Sequence, residues 1–165
     1  MMVEISSRIV MRFLVLLALT VALAACSTVA ERVPEPDRSP ETRAPAPRAD
    51  GHSVVGIAKK HLGTPYRWGG ATPAGFDCSG FVQYVYAQVG VALPHNAAQQ
   101  YKQGRPVARD RLAPGDLVFF DGLRHNGIYV GDGRFIHARR AGKRVSISAL
   151  GEDWYAERWV GARRL

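Results

Sequence analysis

Phe76-Asp77-Cys78-Ser79-Gly80-Phe81-Val82 carries a turn into an amphipathic helix. The helix starts at Asp77 or Cys78, sets Phe81, Val82, Val85 and Val89 on one face, and stops at Gly90. Cys78 and Phe81 are three residues apart, so the thiol lies at the edge of the buried face. Free N–H groups and the positive end of the helix dipole favour a thiolate at this position. A cysteine nucleophile for acyl transfer needs that placement together with an imidazole to manage its proton.

Upstream, Ser53 is the expected cap of a helix with Val54, Ile57, Ala58 and Leu62 at helical spacing, ending at Gly63. A Gly- and Pro-rich loop follows, from Thr64-Pro65-Tyr66-Arg67-Trp68-Gly69-Gly70 to Gly75, and residues 97–102 suggest a short third helix. From Leu112 the period changes. Pro114-Gly115-Asp116 reads as a turn and Leu117-Val118-Phe119-Phe120 as a buried strand, with further strands at residues 125–130, 135–138, 145–148 and 159–163. Helices first and strands afterwards predict an α+β fold, N-terminal helices on an antiparallel sheet of about five strands, with the site at their junction.

Two histidines fall on those strands. His125 lies 47 residues after Cys78 and His137 a further 12 along, so the pair belongs to one hairpin around Gly131-Asp132-Gly133. Side chains alternate across a sheet, which makes the loop length decisive. A two-residue turn at Asp132-Gly133 would face His137 with Ile128 and send His125 to the opposite side. A three-residue loop over 131–133, or an equivalent bulge, pairs Gly127 with His137 and sets His125, Gly127 and His137 on one face. In that arrangement His125 takes the proton of Cys78 and returns it to the leaving amine, and His137 holds the tautomer of His125.

The chain has 165 residues, 22 Lys and Arg against 14 Asp and Glu, and two cysteines, which suits one domain with a real core. Residues 1–25 read as a lipoprotein signal peptide. Arg8 and Arg12 precede an apolar stretch over 13–23, too short to span a bilayer, that ends in Leu23-Ala24-Ala25-Cys26; Met11 is an alternative start. Cys26 is the expected lipidation site. Residues 26–50 then form a tether, with Pro34, Pro36, Pro40, Pro45 and Pro47 and no apolar period, and the folded domain covers 51–165. Without residues 1–25, which contain Glu4, Arg8 and Arg12, 20 basic and 13 acidic side chains remain, a formal charge of +7. Such a charge suits anionic envelope polymers. Nucleic acid is set aside as a partner, because export argues against it and the only basic cluster, Arg139, Arg140, Lys143 and Arg144, reads as solvated surface. With Cys26 lipidated, Cys78 is an unpaired thiol in an oxidising compartment, which chemistry explains better than packing.

The blocks Asp77-Cys78-Ser79-Gly80-Phe81-Val82, Pro114-Gly115-Asp116-Leu117-Val118-Phe119-Phe120, His125 with Gly127-Ile128-Tyr129-Val130-Gly131, and Phe135-Ile136-His137-Ala138 resemble the signature of the NlpC-type cell-wall cysteine peptidases. The likeness runs from about residue 52 to the C-terminus. It implies a compact papain-like fold and hydrolysis of peptidoglycan stem peptides, commonly next to diaminopimelate. It further implies that Tyr66, in Pro65-Tyr66-Arg67-Trp68-Gly69-Gly70, lines the site and helps the Cys78 N–H hold the oxyanion, and that Asp77 and Ser79 bind polar groups of the substrate. Two positions depart from the pattern: His95 stands where arginine is more usual after Leu93-Pro94, and Asn126 replaces a valine.

Zinc ligation by Cys78, His125 and His137 lacks the short paired spacing of metal sites, so neither a metal nor a cofactor is expected. His52 and His61 read as surface residues, His95 as a residue that borders the cleft, and Trp154, Tyr155 and Trp159 as caps on the sheet. The expected protein is a monomeric thiol peptidase acting on peptidoglycan, held by lipid in the outer membrane facing the periplasm, since Ser27 follows Cys26 where aspartate would signal inner-membrane retention. The alternatives are a wall-binding lipoprotein without activity and a papain-like acyltransferase.

Overall fold

A computed structural model describes residues 50–165. The expected signal peptide, Cys26 and most of the tether lie outside the described residues. The order of elements is α1 (Gly51–Lys60), β1 (Ala71–Thr72), β2 (Gly75–Phe76), α2 (Cys78–Ala87), α3 (Ala97–Gln100), β3 (Arg105–Val107), β4 (Leu117–Phe120), β5 (His125–Gly131), β6 (Arg134–Ala138), β7 (Val145–Ala149), α4 (Asp153–Glu157) and β8 (Trp159–Arg164). Strands β3, β8, β4, β5, β6 and β7 form, in that spatial order, one antiparallel sheet. The fold is α+β and papain-like.

The sheet has six strands rather than five. The additional strand, β3, is three residues long, mostly exposed, and contains Pro106. It pairs only with β8, at the edge where a proline is tolerated, so it carries no apolar alternation that a sequence reading can detect. The small hairpin β1–β2 inside the loop preceding Cys78 was missed for the same reason.

The continuous apolar run of β4 is explained by burial on both faces. Leu117 and Phe119 join Val54, Phe76, Phe81, Val85, Ile128 and Ile136 in the core beneath α1 and α2. Val118 and Phe120 turn the other way and pack with Phe135, Leu150, Tyr155 and Ala162. Tyr155 is therefore a core residue brought in by α4, and Trp159 packs at the margin of this second core; the expectation that both merely cap the sheet understated them.

Capping departs from expectation at one helix. Asp50, not Ser53, caps α1, accepting the N–H groups of His52 (3.2 Å) and Ser53 (3.1 Å) and the Ser53 hydroxyl (2.8 Å). A carboxylate in the extended residue before the first turn reaches both free donors, whereas Ser53 already lies inside the helix. His61 is half-buried rather than superficial, its ring edge-on to Phe76 (5.4 Å) and Tyr84 (5.0 Å); His52 is exposed.

The Pro114-Gly115-Asp116 turn anchors the C-terminus. Asp116, 1% exposed, accepts the Ala113 N–H (2.8 Å) and takes both forks of Arg164 at 2.7 Å. Tyr86 donates its hydroxyl to the Gly115 carbonyl, which ties α2 to the same turn.

Candidate active site

Cys78 is the first residue of α2, and Asp77 is its cap. One oxygen of Asp77 accepts the Gly80 N–H (2.7 Å) and the Ser79 hydroxyl (3.2 Å); the other accepts the Gly69 N–H (3.0 Å). Nε2 of His95 stands 2.9 Å from both oxygens. His95 thus closes off the carboxylate from one side instead of lining the cleft. Both oxygens of Asp77 and the Ser79 hydroxyl proton are thus engaged within the chain. They hold the helix start and, through it, the thiol.

The hairpin solves the parity problem with a bulge. The turn residues are Asp132 (φ 51°) and Gly133 (φ 67°), with Gly131 opposite Arg134, so the loop itself has two residues. The register then slips between Tyr129 and Gly131, leaving Tyr129 opposite Phe135 and Ile128 opposite Ile136. The extra residue in β5 does what a third loop residue would have done. His125 and His137 consequently share a face, with Nε2 of His125 2.7 Å from Nδ1 of His137. Gly127 lies between them. A Cβ there would come within 2.6 Å of the Ile136 carbonyl oxygen and 3.0 Å of the His137 Cβ.

Beyond His137 the chain of polar groups continues. Its Nε2 stands 3.2 Å from Ser148 Oγ on β7 and 3.3 Å from the Tyr155 hydroxyl on α4. With His125 donating from Nε2 and His137 donating from Nε2 to a hydroxyl oxygen, Nδ1 of His125 keeps a lone pair for the thiol proton. From the sequence, Ser148 reads only as the end of a strand and Tyr155 as a cap on the sheet, neither as a partner of His137. Ser148 was within reach of a register argument, since β7 pairs Ser146 with His137 and Ser148 is the next residue on that face. Tyr155 was not, because α4 is a short helix without periodicity.

The Cys78 thiol donates to the Arg124 carbonyl at 3.7 Å, which brings it to the start of β5. Residues 121–123 leading there all have positive φ, two of them non-glycine, Asp121 (54°) and Leu123 (69°). This sparsely populated backbone aims the His125 strand at the helix end. Asn126, the residue after His125, faces the helix side and donates to Gln100 Oε1 (2.6 Å). Gln100 in turn donates to the carbonyls of Ser79 (2.9 Å) and Pro94 (2.7 Å). This buried amide relay clamps α2 to β5.

The electrostatics modify the expectation of a lowered thiol. Burial pushes the Cys78 thiol up, the Asp77 carboxylate adds to this, and the backbone N–H groups of Ser79, Asn126 and Cys78 only partly offset them. Burial lowers His125 to about 4, against an opposing pull from Asp121 and with Arg139 adding to the fall. Burial also takes His137 well below the usual imidazole range, with the neighbouring His125 and then Arg139 acting in the same direction. At neutral pH the resting groups are therefore a neutral thiol and a neutral imidazole. The helix start offers N–H donors to the charge that develops on attack rather than a thiolate already formed.

A cleft of about 340 Å³ exposes the thiol and His125 between Tyr66, Trp68, Arg139 and Trp154. Burial raises the Tyr66 hydroxyl, and the Cys78 and Asp77 charges act in the same sense, so it is a neutral donor near the sulfur. Trp154, expected on the sheet, is 41% exposed and forms part of this wall. Among the described residues no group of three or more acidic, histidine or cysteine side chains is arranged to hold a metal ion.

A model of the NlpC/P60 family matches residues 63–164. Gamma-DL-glutamyl hydrolase of Bacillus subtilis (strain 168) is 49% identical over 118 residues, covering 67% of this chain and 28% of that protein. Murein DD-endopeptidase MepH of Escherichia coli (strain K12) is 43% identical over 115 residues, covering 64% of this chain and 42% of that protein. The chain thus spans less than half the length of each of these two curated relatives. Among solved structures, an NlpC/P60 family protein from Bacillus cereus ATCC 10987 superimposes with a TM-score of 0.69 at 36% identity, over 72% of this chain and 41% of that one. The NlpC/p60 domain of the peptidoglycan hydrolase SagA gives 0.65 at 36% identity, over 70% of this chain and 99% of that domain.

Proposed function

The chain belongs to the NlpC/P60 family, and on that basis we propose that it hydrolyses amide bonds in peptidoglycan stem peptides, adjacent to diaminopimelate, through a thioester on Cys78. The observation that carries the reading is the 2.7 Å contact between His125 and His137 on the sheet face that meets the thiol-bearing helix end. Relatives named as a γ-DL-glutamyl hydrolase and a murein DD-endopeptidase support the substrate class.

The proposed chemistry balances within the chain's own groups. Nδ1 of His125 removes the thiol proton as sulfur bonds to the carbonyl carbon. The oxygen that gains charge is met by the Cys78 N–H and the Tyr66 hydroxyl. The imidazolium returns the proton to the departing nitrogen as the C–N bond breaks, leaving a thioester and a free amine. Water, deprotonated by the same imidazole, then releases the acid and restores the thiol. His137 acts as the orienting partner, held in turn by Ser148 and Tyr155.

The proposal extends to the envelope context: lipid on Cys26, residues 26–50 as a tether, an outer-membrane position facing the periplasm, and a monomer. Labelled fatty acid should enter the wild-type protein and not the Cys26→Ser variant.

Product masses from defined muropeptides test the central claim. Cleavage by the wild type and none by Cys78→Ala supports it. Binding without any mass change points to a non-catalytic wall-binding protein, and transfer to an added amine acceptor points to an acyltransferase.

A further inference from the structure

Arg139 and Arg140 follow directly on the His137-bearing strand β6, and both line the cleft that holds Cys78 and His125. A third arginine of that wall, Arg124, is paired with Asp121 at 2.8 Å, so those two charges cancel locally. Among the described residues neither Arg139 nor Arg140 has a carboxylate within 4.0 Å. The cleft therefore carries two uncompensated guanidinium charges beside the reacting groups. Arg144, close by in sequence, is different: it donates to the Gly63 carbonyl at 2.9 Å and serves the fold. The basic cluster that reads as one solvated patch in sequence is thus divided by function.

Two further observations point the same way. The charge of Arg139 is felt at both His125 and His137, which puts it within electrostatic reach of the reaction centre. Trp68, 87% exposed, has no place in the core and stands as an uncovered ring in the same wall. An exposed indole beside paired guanidinium groups suits a ligand with an aliphatic backbone and an acidic group, because apolar contact and charge-assisted hydrogen bonds are offered side by side.

We propose that Arg139 and Arg140 form an anion subsite that receives a free carboxylate borne on the residue next to the scissile amide, so that the site discriminates between carboxylate and carboxamide forms of the same peptide. This rests on the proposed function for the identity of the peptide and not for the subsite itself. Planar guanidinium forks match the two oxygens of a carboxylate. A carboxamide presents one oxygen and an NH2 that guanidinium cannot accept from.

The test separates binding from hydrolysis. Calorimetry on the Cys78→Ala protein would use a stem tetrapeptide with all carboxylates free, its counterpart amidated at the glutamyl α-carboxyl, and its counterpart amidated at the diaminopimelate carboxyl. We expect one amidated form to bind about tenfold more weakly than the parent, a difference that narrows with added salt. In Cys78→Ala carrying Arg139→Gln and Arg140→Gln that ratio should fall to near one; both positions are exposed, so the fold is retained. Equal binding of all three peptides, absence of binding, or a preference that survives the double substitution overturns the subsite. Hydrolysis by the wild type is scored separately: failure to cleave any of the peptides counts against the proposed function, while the binding ratio still decides the subsite.

Discussion

Nε2 of His125 lies 2.7 Å from Nδ1 of His137, and no residue between them in the chain makes that contact inevitable. It depends on one unpaired residue in β5 that offsets an even-numbered turn.

Removing the orienting partner should leave a base that is present but poorly held. His137→Ala is expected to lower kcat/KM by about 10²-fold, against about 10³-fold or more for His125→Ala and complete loss for Cys78→Ala. Rates on a defined muropeptide check the order. A His137 variant as active as wild type would remove it from the mechanism.

Gly127→Ala should strike the same relay through the backbone. The added methyl meets the Ile136 carbonyl and His137, so β5 and β6 must part at the contact. The expected cost is about 1–3 kcal/mol in stability and, from misplaced imidazoles, about 10²-fold in kcat. Urea titration and steady-state kinetics on one preparation separate the two.

The pH profile should reflect buried imidazoles. His125 gains its proton only near pH 4, so it remains a proton acceptor well below the usual histidine range, and the acid limb of kcat/KM is expected there and not near 6.5. The thiol, raised by burial, should become more reactive toward alkylation as pH climbs through the alkaline range. Ultraviolet absorbance of a thiolate already at pH 6 would contradict this.

Stability follows from the same shifts. The unfolded chain protonates His125 and His137 below about pH 6.5, whereas the folded chain resists until about pH 4 at His125 and lower than the usual range at His137. Unfolding free energy should therefore decline as pH falls across that window, on the order of 3 kcal/mol for His125 alone. Chemical denaturation at pH 7 and pH 4.5 measures it, and His137→Gln should flatten the slope.

Arg164→Met should expose how much the C-terminal anchor matters. It leaves the Asp116 carboxylate buried with only the Ala113 N–H as partner, at an expected cost of about 3 kcal/mol. Arg164 is itself about one-third exposed, which limits the loss. Asp116→Asn in the same chain should recover part of it.

Local signals were legible in the chain alone wherever the physics is local. Cys78 at a capped helix start, the doubly buried run over Leu117-Val118-Phe119-Phe120, and the alternation around His125 each follow from spacing, dipole and side-chain period. So did the requirement that the His125–His137 loop be odd in length or carry a bulge. What tertiary structure alone decided was which of those two occurred, and which distant groups closed round the site. Burial and the Asp77 charge, neither of which exists until the chain folds, reversed the expected direction of the thiol's shift. Tyr155, Trp154 and the Arg139–Arg140 pair reach the cleft through sheet order and a five-residue helix. Spacing constrains neighbours along a helix or strand, whereas desolvation and contacts across strands depend on the three-dimensional arrangement, and so these features could be seen only in the fold.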